Sequence, residues 1–146
     1  MMKNTLTQNS SNIEITECTS CPIVIGIVDY YDFCGSGGAI RMENSSPILN
    51  NVSLTNNNAR EAANLTTSCF GGGSGGAISA WYSSPTIINS TISNNLSSYG
   101  GGAISLTNSS LTADNINLNN NIVDADGCGE AENSTSVVGG GAIEIY

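Results

Sequence analysis

The chain has 146 residues, enough for one domain, and carries a net charge of −9 with three basic side chains and no histidine. A nucleic-acid groove needs clustered Lys and Arg, so this charge argues against nucleic acid as a partner, and it argues equally against an anionic membrane surface. No apolar run reaches the roughly 18 residues of a spanning helix, and we therefore expect no membrane insertion by this segment.

The first predicted element is the unit Leu6 to Asn9, an aliphatic residue followed by Asn three positions later. No hydrophobic segment follows Lys3, so the start does not have the pattern of a signal peptide. The same unit lies in the middle of each later repeat, so the sequence starts within a repeat. We therefore interpret 1–146 as a single segment of a longer polypeptide.

The next element begins with the tetrapeptide Gly-Gly-Ala-Ile, which starts at Gly37, Gly75, Gly101 and Gly140, so that successive copies are 38, 26 and 39 residues apart. Apolar and polar residues then alternate with a period of two, which predicts a half-buried strand. The apolar columns are Ile40/Met42, Ile78/Ala80, Ile104/Leu106 and Ile143/Ile145. The residues between them, predicted to point outward, are Arg41, Ser79, Ser105 and Glu144.

Two further strands are predicted in each repeat, with their own buried columns: Leu49, Ile87 and Ala113 in the second strand, and Leu54, Ile92 and Leu118 in the third. Columns of identical residues lie beside them: Asn51, Asn89 and Asn115, then Asn57, Asn95 and Asn121. Stacked Asn side chains form hydrogen-bonded ladders, and Asn tolerates the left-handed backbone of sharp corners. The paired glycines predict another corner.

Differences in repeat length all fall at one point, between the Asn unit and the next Gly-Gly, which predicts insertions at 10–36, 58–74 and 122–139. The shortest connection, 96–100, leaves a repeat of 26 residues. Short strands, inward aliphatic columns and polar corners predict an all-β fold: a right-handed parallel β-helix, or solenoid, of about four coils with loops inserted at one corner.

The alternation of Gly-Gly-Ala-Ile with an aliphatic-x-x-Asn unit resembles the passenger repeats of chlamydial-type polymorphic outer membrane proteins and related pectin-lyase-like β-helix surface proteins. Gly-Gly-Ala-Ile matches in full four times, whereas Leu6, Leu54, Ile92 and Leu118 stand where that family has Phe. The resemblance covers nearly the whole chain apart from the insertions. It implies an adhesin of autotransporter-passenger type, secreted or displayed at the cell surface in association with the outer membrane.

All five cysteines lie in the predicted insertions: Cys18, Cys21, Cys34, Cys69 and Cys128. Insertions that leave one corner bring their thiols near one another, and disulfides between them are the interpretation we favour for an oxidising compartment. Cys18-x-x-Cys21 also fits a redox pair or half of a zinc site, but zinc needs about four N or S ligands and the chain has no histidine.

A candidate calcium site lies in the most acidic stretch, where Asp124, Asp126 and Glu130 offer the carboxylate oxygens that Ca²⁺ prefers. EF-hand spacing fails there because Ile122 and Asn133 occupy the first and last ligand positions, and a solvated acidic loop is the default interpretation. We expect no other cofactor.

Trp81, Tyr82 and Tyr99 are the main aromatic group and a candidate carbohydrate-binding surface, since ring faces stack on sugars. Packing of Trp81 beneath 58–74 is the alternative that we favour. No catalytic residues are assigned: Asp114 is the only Asp inside an aligned coil, whereas glycoside hydrolysis needs paired carboxylates.

The sequence therefore predicts a non-catalytic structural or adhesive segment that presents its corner loops to a host protein, a matrix protein or a glycan. The alternative is part of a polysaccharide-binding or polysaccharide-degrading pectin-lyase-like enzyme.

Overall fold

The computed structural model describes residues 9–11, 14–16, 23–26, 37–59, 73–98, 100–124 and 141–146. Every regular element among them is a β-strand, and no helix in these ranges is long and apolar enough to cross a membrane. The strands are β1 Asn9–Ser11, β2 Glu14–Thr16, β3 Ile23–Gly26, β4 Ile40–Glu43, β5 Ile48–Asn50, β6 Ser53–Thr55, β7 Ile78–Trp81, β8 Thr86–Ser93, β9 Leu96–Ser97, β10 Ile104–Thr107, β11 Thr112–Asn119, β12 Ile122–Val123 and β13 Ile143–Ile145.

The four strands that begin at the Ile of Gly-Gly-Ala-Ile, together with β3, form one five-stranded parallel sheet in the order β13-β10-β7-β4-β3. Its register places Ile40 beside Ile78, Ile78 beside Ile104 and Ile104 beside Ile143, as the repeat alignment predicts. The all-β class with parallel strands is thus confirmed, and the strand order is compatible with a solenoid.

A six-stranded parallel sheet contains the second and third predicted strands together, in the order β1-β5-β8-β6-β2 with β11 on β8. Strand β8 pairs with both β5 and β6, and β11 continues the same arrangement. These two strands were predicted to be separate. They share one sheet because the pairing of β8 with β11 is interrupted only at the left-handed residue Asn89 and resumes at Ser90. A small parallel sheet of β9 and β12 follows.

Corners recur at the same positions of successive repeats, where the backbone takes positive φ. The non-glycine columns are Asn44, Tyr82 and Asn108; Asn51, Asn89 and Asn115; and Asn56, Asn94 and Asn120. Asn is favoured there because its short polar side chain tolerates the left-handed region. The third corner column precedes the predicted column of Asn57, Asn95 and Asn121 by one residue. The left-handed corner residues are therefore Asn56, Asn94 and Asn120, and not the predicted column.

In the pairs that start at Gly37, Gly75 and Gly101, the two glycines have different structural roles. Gly75 has φ of 71°, whereas a Cβ on Gly76 would lie 2.1 Å from the carbonyl oxygen of Gly102 in the next repeat. A Cβ on Gly102 would meet the carbonyl oxygen of Gly141 at 2.3 Å. The first glycine therefore turns the chain, and the second lets neighbouring repeats approach.

The core lies between the sheets and consists of the predicted inward columns. Fully buried members include Ile40, Met42, Ile78, Ile104, Leu106, Leu49, Ile87, Leu54 and Ile92. The burial predicted for Ala113 is wrong, since it is exposed, and Leu118 is only half-buried. Their strand β11 pairs on one side only among the described strands, and Ile145, 67% exposed on β13, is in the same position.

The segment 10–36, predicted as an insertion, includes β2, β3 and most of β1. These strands pair with β6, β4 and β5 respectively. The register places Ile15 beside Leu54, the position that the sequence alignment had given to Leu6. Leu6 itself lies outside the described residues.

Candidate functional site

A buried asparagine ladder runs through three repeats. Nδ2 of Asn57 donates to Oδ1 of Asn95 at 2.9 Å, and Nδ2 of Asn95 donates to Oδ1 of Asn121 at 2.8 Å. The backbone N–H groups of Asn57 and Asn95 donate to the same two oxygens, at 2.9 and 3.1 Å. Each amide thus satisfies buried backbone and side-chain groups of its neighbour, which ties the repeats together.

The other asparagine column lies at the surface. Nδ2 of Asn115 donates to Oδ1 of Asn89 at 2.8 Å, and Nδ2 of Asn89 donates at 3.3 Å to Asn50, the neighbour of Asn51. Sequence reasoning missed a third column, in which the backbone N–H of Ser83 donates to Oγ of Ser109 at 2.9 Å. The aligned Ser-Ser pairs after each first strand were the signal for it.

The residues predicted to point outward from the first sheet are buried. The prediction that these strands are buried on one face only is therefore wrong. Arg41, Ser79, Ser105 and Glu144 are 7%, 0%, 2% and 8% exposed. Gly100, in the connection between two repeats, lies directly against the Glu144 carboxylate. At Glu144, a connection that passes over the strand therefore explains why a residue predicted to point outward is buried.

Arg41 carries the buried positive charge of this column. Its Nη2 lies 3.4 Å from Oε2 of Glu43, two residues along the same strand. Burial lowers the pKa of Arg41 from its ordinary value, and the charge of Glu43 and its hydrogen bond oppose that change. The pair is therefore a local structural contact along one strand.

An aromatic corner lies at the end of β7. Trp81 is half-buried on the strand, between Glu43 and Thr107 of the neighbouring strands, and Tyr82 is 62% exposed at the following corner. Tyr82 has φ of 45°, and the exposed Asn44 and Asn108 occupy the same corner in the repeats on either side. Tyr99, the third predicted member, lies outside the described residues.

The points where the predicted insertions leave the repeats are stacked on one another. Asn58 bridges to Leu96, and Leu96 pairs with Ile122. Backbone hydrogen bonds connect Leu96 to Asn57 at 2.9 Å and Ile122 to Asn95 at 2.8 Å. The return points are stacked too, because Gly75 donates to the Gly100 carbonyl at 2.8 Å.

The structure describes only some residues of the remaining predicted sites. Asp124 is half-buried, and its N–H donates to the carbonyl of Ser97 at 2.8 Å. Asp126 and Glu130 lie outside the described residues, as do Cys18, Cys21, Cys34, Cys69 and Cys128. Within the described ranges no three His, Cys, Asp or Glu side chains gather as a metal site.

We found no match to the chain among protein-family models, curated proteins or solved structures.

Proposed function

We propose that the chain is a non-catalytic segment of a right-handed parallel β-helix, from a secreted or cell-surface protein of adhesin or autotransporter-passenger type. Its repeats serve as a stacked scaffold, and its corner loops contact a host or matrix protein or a glycan. The resemblance of the Gly-Gly-Ala-Ile repeats to polymorphic outer membrane proteins supports the location and the class.

The observation that carries this proposal is the stacking of the insertion points Asn58, Leu96 and Ile122 in three successive repeats. Neighbouring strands lie about 4.8 Å apart, so chain segments that leave at these points emerge side by side from one corner. Loops of different length rooted on a regular scaffold are a common way to build a binding surface.

Four of the buried polar side chains form hydrogen bonds between repeats: Asn57, Asn95, Ser83 and Ser90. Asn95 alone accepts from two groups of Asn57 and donates to Asn121 and to the Leu54 carbonyl. Ser83 and Ser90 each donate to the carbonyl two residues earlier and accept an N–H from the preceding repeat. Such groups contribute to the cohesion of the scaffold, and this supports a structural role for the repeats.

The test is to shorten two loops on an otherwise unchanged scaffold. We would replace 58–74 and 122–139 with the five-residue connection of 96–100, whose first residue occupies the place of Asn58 and Ile122. Segment 10–36 stays intact because β2 and β3 belong to the sheets. We expect an unchanged circular dichroism spectrum and at least tenfold weaker binding of protein-coated beads to epithelial monolayers and laminin-coated wells.

A matched control keeps both loops at full length but permutes their residues. It should also lose binding, which separates a specific loop surface from simple loop length. A folded short-loop variant that binds as well as the original chain, or an original chain that binds neither surface, contradicts the proposal.

A further inference from the structure

We infer that the aromatic corner formed by Trp81, Tyr82, Glu43, Asn44 and Asn108 binds a neutral glycan. The inference rests on the proposed adhesive function and names the chemical class of one partner.

The backbone gives the first argument. Three residues share the corner column Asn44, Tyr82 and Asn108, and all three have φ between 45° and 48°. This left-handed conformation suits Asn, whereas a bulky aromatic residue adopts it at a cost in energy. The tyrosine in this column, where both neighbouring repeats have Asn, therefore carries a local conformational cost, which points to a use for its ring.

Exposure gives the second argument. Tyr82 is 62% exposed, so core packing does not account for a side chain that strains its own backbone. The half-buried indole of Trp81 precedes it in the chain. An exposed ring that carries a hydroxyl offers the apolar face and polar edge on which a pyranose ring stacks.

The surrounding groups select the kind of ligand. Asn44 and Asn108 are exposed on both sides of Tyr82, one strand spacing of about 4.8 Å away in each direction. Their amides both donate and accept hydrogen bonds, as sugar hydroxyls do, and the Glu43 carboxylate accepts them. The net charge of −9 repels sulfated, sialylated or uronic sugars. The positive charge of Arg41 does not offset this repulsion, because it is paired with Glu43.

The experiment uses the full chain on an array of neutral oligosaccharides with their sialylated, sulfated and uronic counterparts. The test variant is Tyr82→Asn, which installs the residue of the two neighbouring repeats. We expect binding to at least one neutral glycan, at least tenfold weaker binding by Tyr82→Asn, and a midpoint of thermal unfolding that is unchanged or higher. Tyr82→Phe keeps the ring and should stay within about threefold of the original affinity.

Asn94→Asp, at a different corner column, is the control and should bind like the original chain. Binding to charged glycans alone, or equal binding by Tyr82→Asn, overturns the inference. So does Tyr82-dependent binding to a monolayer stripped of glycans, which would identify a protein partner. If Tyr82→Asn binds neutral glycans as tightly as the original chain does and also binds untreated monolayers through its loops, the glycan site fails while the proposed adhesive function stands.

Discussion

Gly76→Ala should destabilise the protein by about 4 kcal/mol or more, a range reached by few single substitutions. The new Cβ would lie 2.1 Å from the Gly102 carbonyl oxygen and 2.8 Å from the backbone nitrogen of Leu96. Both contacts are with backbone, so the two repeats must separate. Separation weakens the hydrogen bond from Gly76 N–H to Gly101 O, now 3.1 Å, and those around it. Urea unfolding followed by circular dichroism measures the loss.

Gly141→Ala is the matched control, because a Cβ at Gly141 meets no atom of the described residues within 4 Å. It occupies the same place in its repeat as Gly76, so the intrinsic effect of Gly→Ala on the backbone is nearly equal in the two variants. We expect a change within about 0.5 kcal/mol for Gly141→Ala. Equal losses in the two variants would contradict the close approach of stacked repeats.

Asn95→Ala should cost about 3 kcal/mol, because it leaves several buried groups without their partner. Asn95 is 1% exposed and serves the N–H and Nδ2 of Asn57, Oδ1 of Asn121 and the Leu54 carbonyl. The same unfolding measurement applies. Asn117→Ala, at an exposed position of β11, is the control and should change the free energy of unfolding by less than about 0.5 kcal/mol.

Asn95→Asp adds a test of burial at the same position. Its carboxylate keeps the acceptors for Asn57 but cannot donate to Asn121 and Leu54, and burial raises its folded-state pKa above the unfolded value of about 3.9. The folded state therefore favours the protonated form, and the variant loses stability relative to the original chain as pH rises from about 4 to 7. A deficit that does not depend on pH would mean that position 95 is open to solvent.

Much of the scaffold was predictable because stacked repeats place equivalent residues in similar surroundings. The inward columns through Ile40 and Leu54 followed from a period of two, and the register from the alignment of Gly-Gly-Ala-Ile. Residues on β11 were harder to predict, since the burial of Ala113 depends on a neighbouring strand rather than on its own repeat.

The candidate sites were less predictable from the sequence. Alternation gave Arg41 and Glu144 the outward side of a strand, but a connection such as the one through Gly100 decides whether that side meets water. The sequence placed Tyr82 in a candidate carbohydrate-binding aromatic group with Trp81 and Tyr99. Its strained corner between Asn44 and Asn108 became visible once φ and register were known, because neither is encoded by residue type alone.

Successive repeats stack in parallel and in register, with Asn57, Asn95 and Asn121 aligned. An NMR measurement of scalar couplings across backbone hydrogen bonds in deuterated protein tests this stacking. We expect couplings from the Leu96 amide to the Asn57 carbonyl and from the Ile122 amide to the Asn95 carbonyl. Couplings between residues four apart, or between antiparallel strands, would contradict it.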